Sequence, residues 1–144
     1  MGQDAQELSQ VLRARREKLA SLRQKGIQAF AHAFEVTGTT SDAIAAFEEL
    51  ETTARLGADG QGMRTRMGGR VIGWRDMGKS AFAHLEDRAG RIQLYFKKDV
   101  VGPEAWENLS LLDLGDWIGV EGTSFRTKTG EVTLRVLEWT MLTK

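Results

Sequence analysis

The feature that most constrains the fold is a change of hydrophobic period near Arg70. Before this point apolar residues recur at helical spacing, and after it apolar and polar residues alternate with the period of two that is typical of strands. The glycines from Gly57 to Gly69 are interpreted as a loop that separates the two patterns. Turn residues divide the alternating part into Val71–Asp76, Ala81–Asp87, Arg91–Lys97, Trp117–Phe125 and Glu131–Leu142. The pattern predicts a mainly β protein with about five strands.

A short helix is predicted between the third and fourth strands. Gly102-Pro103-Glu104 opens it, because proline suits the first turn of a helix, and Trp106 and Leu109 lie on one side. Three strands, a short helix and two strands is the order of a five-stranded Greek-key barrel of the OB type. Such barrels bind oligonucleotides on one face, so the predicted fold already favours a nucleic-acid ligand.

The N-terminal part is predicted to be a helical arm over residues 1–60, with the barrel domain over residues 61–144. Between Asp4 and Lys25 one helix carries a narrow apolar stripe made of Leu8, Val11, Leu12, Leu19 and Leu22. A second, shorter helix starts near Ser41, in a Ser/Thr-rich stretch that can cap its first turn.

Strand alternation predicts which side chains face outward. Ile92, Leu94 and Phe96 share one face of the third strand, and Ala83 and Leu85 share one face of the second, so these faces belong to the core. The opposite faces then carry Phe82, His84, Arg91, Gln93 and Tyr95. Outward aromatic rings beside a glutamine and an arginine predict a platform on which bases stack.

The chemistry of this platform suits single-stranded RNA. The Phe82 ring offers a flat apolar surface, and stacking on such a ring stabilises binding by about 1–3 kcal/mol per base. The Gln93 amide has one acceptor and two donors, so it can meet N3–H and O4 of uracil together. Arg75 and Arg91 supply contacts to phosphate or to base carbonyls. In the alternative interpretation, Phe82 packs under the N-terminal segment as part of a small satellite core.

Two other motifs are rejected as functional sites. Gly73 to Ser80 matches the pattern of a phosphate-binding loop, but that loop requires a helix to begin at its Lys-Ser, and Ala81–Leu85 alternates as a strand does. Ser80, His84 and Asp87 lie along one strand, which cannot bring them together as a catalytic triad. We therefore expect no catalytic residue.

Charge and composition argue against metal sites and membrane spans. The chain has no cysteine and only two histidines, so no metal site is expected. No apolar run approaches the length of a membrane span, which favours a cytoplasmic protein without a membrane partner. The net charge is zero, yet residues 60–98 hold nine basic and three acidic side chains. This local basic block suits nucleic acid. Its Lys79, and Arg15, Arg16 and Arg23 of the arm, are further possible RNA contacts.

Several segments together resemble the N-terminal anticodon-binding domain of class II lysyl-tRNA synthetases. They are R-R-E-K-L-A-S-L-R-Q-K-G-I from Arg15 to Ile27, M-G-K-S-A-F-A-H-L-E-D from Met77 to Asp87, G-R-I-Q-L-Y from Gly90 to Tyr95, L-G-D-W-I-G-V-E-G from Leu114 to Gly122, and T-K-T-G-E-V-T-L from Thr127 to Leu134. The likeness covers nearly the whole chain. The T-K-T-G-E motif together with the R-R-E-K-L helix favours the lysyl enzyme over the aspartyl and asparaginyl enzymes.

The resemblance implies roles for four residues. Phe82 falls on the ring that stacks under the middle uridine of the anticodon, Gln93 on the residue that recognises this base, and Arg75 on the arginine that assists there. Glu131 falls on the glutamate that meets the first anticodon base. The implied partner is the anticodon stem-loop of tRNA(Lys).

The resemblance also implies what the chain lacks. Such a synthetase has a large catalytic domain that uses ATP and Mg²⁺, and it is a homodimer, whereas this chain ends before any motif of that domain. We therefore expect an RNA-binding domain that needs no cofactor and catalyses nothing itself. Two alternatives remain open: a general single-strand binder on the same fold, and a protein-interaction module that docks a partner through the apolar stripe of the arm.

Overall fold

The computed structural model describes residues 34–143 of the chain. The helix predicted between Asp4 and Lys25, and with it Arg15, Arg16 and Arg23, lies outside the described residues. Within residues 34–143, no helix is both long enough and apolar enough to cross a membrane.

Five strands form a closed barrel. They are β1 (Arg64–Asp76), β2 (Ser80–Asp87), β3 (Gly90–Lys97), β4 (Trp117–Arg126) and β5 (Val132–Thr143). The strands follow one another around the barrel in the order β1-β2-β3-β5-β4. Only the β3–β5 pair is parallel, and the other four pairs are antiparallel. The predicted five-stranded OB-type barrel is confirmed.

Five helical segments accompany the strands within the described residues. Helix α1 (Thr40–Thr52) precedes the barrel and is followed by a 3-10 turn at Ala58–Gly60. Helices α2 (Lys98–Val101) and α3 (Pro103–Asn108) and a 3-10 turn at Leu109–Leu111 lie between β3 and β4. Pro103 is the first residue of α3, as predicted, because it needs no backbone N–H there.

Strand β1 is longer than the sequence predicted, and this corrects the predicted start at Val71. Its first half pairs with β4 and its second half with β2, with a bulge between Val71 and Gly73. Gly68 and Gly69 therefore lie inside a strand, whereas the sequence placed them in a loop. A Cβ atom on Gly69 would lie 2.5 Å from the carbonyl oxygen of Glu86, so the glycine permits a close backbone approach.

Helix α1 is capped and tied to the β2–β3 hairpin. The Thr39 hydroxyl accepts from the N–H of Asp42, whose carboxylate accepts from the N–H of Thr39, so the two form a capping box. The Asp87 carboxylate accepts from the backbone N–H and from the hydroxyl of Thr40, each at 2.8 Å. Phe47, on the inner side of the helix, is buried. Helix α1 is thus fixed to the barrel at this point.

The core lies inside the barrel, and the alternation of each strand supplies it. The face predicted to be inward is buried on β2 and β3, at Ala83, Leu85, Ile92, Leu94 and Phe96. The other strands contribute Val71, Ile118, Val120, Leu134, Val136 and Met141. Burying each large apolar side chain contributes about 1.5–3 kcal/mol.

The segment that resembles a phosphate-binding loop is the β1–β2 hairpin. The N–H of Met77 donates to the carbonyl of Ser80 at 2.8 Å, and the N–H of Gly78 donates to Oδ1 of Asp76 at 2.9 Å. Gly78 has a φ of 90°. Ser80 starts a strand and not a helix, so no helix N-terminus is present to hold phosphate.

Candidate nucleic-acid interface

Two rows of side chains cross the outer face of the barrel. In the first row Arg75 of β1 pairs with Phe82 of β2, which pairs with Tyr95 of β3. In the second row His84 of β2 pairs with Gln93 of β3, which pairs with Thr133 of β5. The strand register therefore places predicted site residues from three strands side by side.

The two rows line one open cavity of about 660 Å³. Its walls are Trp74, Arg75, Phe82, His84, Gln93, Tyr95, Phe125, Thr127, Lys128 and Thr129. Five residues predicted from the sequence meet here: Arg75, Phe82, His84, Gln93 and Tyr95. The lining includes two cations and no carboxylate, which suits an anionic ligand. A separate depression beside α3, of about 500 Å³, has Asp76 and Glu107 in its wall, and these repel phosphate.

Three aromatic rings form one wall of the cavity. The rings of Phe82 and Tyr95 are tilted by 41° with centroids 5.0 Å apart, and Tyr95 meets Phe125 edge to face at 6.0 Å. Phe82 and Tyr95 are half-buried by this mutual packing. The rings hold one another in place and leave apolar surface toward the cavity, which is the arrangement that stacked bases need.

Gln93 provides the polar end of the cavity. Its Nε2 donates to Oγ1 of Thr133 at 3.1 Å, and the Thr133 hydroxyl donates to the carbonyl of Glu131 at 3.1 Å. Within the described residues the Gln93 side chain makes no other hydrogen bond. Its oxygen and one N–H are therefore available to a ligand.

Residues 65–142 match the tRNA anticodon family, described as an OB-fold nucleic acid binding domain. This stretch is more than half of the chain. The chain belongs to this family of OB-fold domains. The cavity described above lies on the sheet face where OB folds bind oligonucleotides.

Curated relatives of this OB-fold domain are lysine–tRNA ligases. The chain is 37% identical to the one from Bacillus mycoides over 96% of its length, and 41% identical to the one from Thermoanaerobacter pseudethanolicus over 98% of its length. The ligase from Pelotomaculum thermopropionicum is 39% identical over 96% of the chain. The chain spans only 26–27% of the length of these relatives.

The other predicted contacts of the OB-fold domain lie outside the cavity. Glu131 comes just before β5 and reaches the cavity through His84, whose Nε2 is 3.6 Å from Oε1 of Glu131. Lys79 lies in the β1–β2 turn, and Arg91 pairs with Glu86 at the far end of β2 and β3. The structure brings neither Lys79 nor Arg91 into the cavity lining.

Sequence reasoning missed the β4–β5 hairpin of the OB-fold domain as a wall of the site. Phe125 and Thr127–Thr129 reach the cavity because the parallel β3–β5 pairing brings this hairpin beside β3. Alternation within one strand carries no information about that pairing. The polar T-K-T-G-E turn is a signal in the sequence, but it indicates the family and the role of Glu131 and not the position of Phe125.

Hydrogen bonds hold this hairpin in shape. The N–H of Thr127 donates to the carbonyl of Glu131 at 3.0 Å, and the N–H of Gly130 donates to the carbonyl of Thr127 at 2.9 Å. Arg126 donates to the carbonyl of Gly130 and, through two nitrogens, to both carboxylate oxygens of Glu51 on α1. This charged hydrogen bonding lowers the pKa of Glu51. The arm helix α1 thereby supports a wall of the cavity.

Proposed function

We propose that the domain recognises the anticodon of tRNA(Lys) and that its cavity accepts the middle uridine. The observation that carries the proposal is that Arg75, Phe82 and Gln93, which come from three different strands, line one cavity. A stacking ring, an amide and a guanidinium within one cavity supply what recognition of an unpaired base requires.

Each group has a distinct task. The uracil ring stacks on Phe82, which Tyr95 supports from the side, and its edge meets the amide of Gln93. Arg75, whose guanidinium has no ion-pair partner in the described part of the chain, binds phosphate or a base carbonyl. Glu131, whose carboxylate lies 3.6 Å from His84 beside the cavity, accepts from the first anticodon base.

The relatives suggest the larger protein in which this domain acts. They are ligases about four times as long as this chain, so the chain corresponds to a part of each. We propose that it serves as the anticodon-binding part of a class II lysine–tRNA ligase, a cytoplasmic homodimer. Lysine activation with ATP and Mg²⁺ would take place in the remainder of that protein, and this domain would contribute binding alone.

Binding of anticodon stem-loops tests the proposal. Fluorescence anisotropy at one fixed salt concentration compares a UUU stem-loop with one in which the middle base is C. We expect the changed stem-loop to bind about tenfold more weakly or worse, the usual cost of one wrong base. Equal affinities would contradict base recognition and indicate a general single-strand binder, because stacking alone tolerates every base.

A second measurement addresses the protein-interaction alternative. Phe82→Ala removes the stacking surface and lies outside the apolar stripe of the arm. If RNA binding is the function, this variant loses affinity for the UUU stem-loop. An unchanged affinity would overturn the proposed role of the cavity.

A further inference from the structure

The orientation of the Gln93 amide is fixed by Thr133. Gln93 and Thr133 are partners across the parallel β3–β5 pairing, and Nε2 of Gln93 lies 3.1 Å from Oγ1 of Thr133. The Thr133 side chain is completely buried. Its hydroxyl has one proton, which it donates to the carbonyl of Glu131 at 3.1 Å. While this bond to the Glu131 carbonyl is made, the Thr133 oxygen accepts from Gln93, so the nitrogen of the amide, not its oxygen, faces Thr133.

These two hydrogen bonds, from Gln93 to Thr133 and from Thr133 to Glu131, determine which atoms Gln93 presents to a ligand. One N–H of the amide is used by Thr133, so Oε1 and the second N–H remain. They stand in a favoured order, because turning the amide over would require the Thr133 hydroxyl to give up its bond to the Glu131 carbonyl and donate to Oε1 instead. The cavity thus presents an acceptor and a donor in the order that this pair of hydrogen bonds favours.

The order of acceptor and donor on Gln93 matters because uracil and cytosine carry their acceptor and donor in opposite order. Uracil carries the acceptor O4 next to the donor N3–H, whereas cytosine carries the donor N4–H₂ next to the acceptor N3. Their rings have the same size, so the Phe82 surface stacks both. A freely rotating glutamine amide can match either edge by turning over, and an amide held in one orientation can match only one.

We infer that Thr133 is a positioning residue that makes the cavity select uracil over cytosine. The inference rests on the proposed function, in which Gln93 meets the middle base of the anticodon. It adds that discrimination between the two pyrimidines depends on a buried hydroxyl that does not touch the RNA.

The test uses Thr133→Val, which keeps the shape of the side chain and removes the hydroxyl. Wild-type domain, Thr133→Val and Thr133→Ser are titrated with UUU stem-loops and with stem-loops whose middle base is C. We expect Thr133→Val to reduce the preference for UUU by about tenfold, mainly through tighter binding of the C-containing stem-loop. Thr133→Ser, which retains a hydroxyl, should keep the preference for UUU. Thr140→Val is the matched control, because Thr140 lies on the same strand β5 but outside the cavity lining.

The outcomes separate this inference from the proposed function. If the wild-type domain binds both stem-loops equally, the proposed function fails. If it prefers UUU and a folded Thr133→Val keeps the full preference, the inference alone fails. NMR of the RNA-free domain adds a check: the Gln93 side-chain amide protons should show a hydrogen-bonded proton in the wild type and in Thr133→Ser, and lose it in Thr133→Val. Thr133→Ala provides a second variant without the hydroxyl should valine fold poorly.

Discussion

The imidazole of His84 and the carboxylate of Glu131 lie 3.6 Å apart, from Nε2 to Oε1. His84 is on β2 and Glu131 precedes β5, and β3 runs between these two strands. The two side chains therefore meet across the row that contains Gln93. These two polar side chains lie at the rim of the cavity, where the β4–β5 hairpin comes close to β2.

We expect Glu131→Gln to change recognition of the first anticodon base and to leave the middle base unaffected. The substitution replaces an anionic acceptor with a neutral amide, and charged hydrogen bonds contribute about 1.5–3 kcal/mol. Since the carboxylate is half-exposed, the loss should be at the lower end of that range. Binding of UUU and CUU stem-loops measures the effect. If Glu131→Gln weakened the preference at the middle base as much as the preference at the first base, this division of roles would be contradicted.

Phe82→Ala should weaken binding of the UUU stem-loop by about 1–3 kcal/mol, the usual contribution of one stacked base. The same substitution removes a ring that packs on Tyr95, so thermal unfolding must be measured alongside. Met77→Ala is the matched control, because Met77 is an exposed apolar side chain in the β1–β2 turn outside the cavity. If Phe82→Ala and Met77→Ala weakened binding of the UUU stem-loop equally, the result would argue against stacking on Phe82.

Lys128→Gln should weaken binding of all stem-loops by a similar factor. Lys128 lines the cavity on the β4–β5 hairpin, and we expect this flexible cation to contact phosphate and not a base edge. The slope of log Kd against log salt should fall by about 0.7, the value for one phosphate of a single strand. Lys98→Gln, an exposed cation on α2 outside this cavity, should leave the slope unchanged. A change of base preference in Lys128→Gln would be incompatible with this role.

Asp87→Asn should destabilise the fold near neutral pH and have little effect in acid. Burial raises the pKa of Asp87, but the hydrogen bonds from Thr40, Ala89 and Gly90 outweigh it and lower the pKa below the ordinary 3.8. The contribution of the carboxylate is therefore complete above about pH 4 and is lost as the pH falls through the lowered pKa.

We expect a loss of about 1 kcal/mol in unfolding free energy near pH 7 after allowance for solvent screening. Urea unfolding of both proteins near pH 7 and near pH 3 measures the difference at each pH. If the difference in unfolding free energy between the two proteins is the same near pH 7 and near pH 3, the charge of the Asp87 carboxylate plays no part. Asp59→Asn, at an exposed carboxylate, is the control.

Two neighbouring glycines of β1 should respond differently to alanine. A Cβ on Gly69 would lie 2.5 Å from the backbone oxygen of Glu86, whereas a Cβ on Gly68 would lie 3.3 Å from the movable Cδ1 of Leu142. Gly69→Ala should lower the unfolding free energy by about 1–3 kcal/mol, because a paired strand must shift. Gly68→Ala should cost less than half of this. Similar losses in thermal or urea unfolding would contradict the close approach at Gly69.

The sequence predicted those parts of the fold and site that depend on local pattern. Alternation alone placed Phe82 and Gln93 outward and Leu85 and Leu94 inward, because the side-chain direction in a strand follows from parity. It could not place Phe125, which reaches the cavity only through closure of the barrel. The start of β1 was also missed, since glycines that permit close strand contact look like loop glycines when read in sequence.

The parallel pairing of β3 with β5 has a consequence for folding and for hydrogen exchange of the backbone amides. It comprises three residue pairs, whereas β2 and β3 share eight, and it joins strands that are distant along the chain. We expect such a short, non-local pairing to form late and to open before the longer ones, because chain closure costs entropy that few contacts offset. The Gln93–Thr133 bond spans this pairing. The cavity is therefore complete only while the barrel is closed, and if it binds the anticodon as proposed, the bound RNA should slow hydrogen exchange at Thr133 and its neighbours more than elsewhere in the sheet.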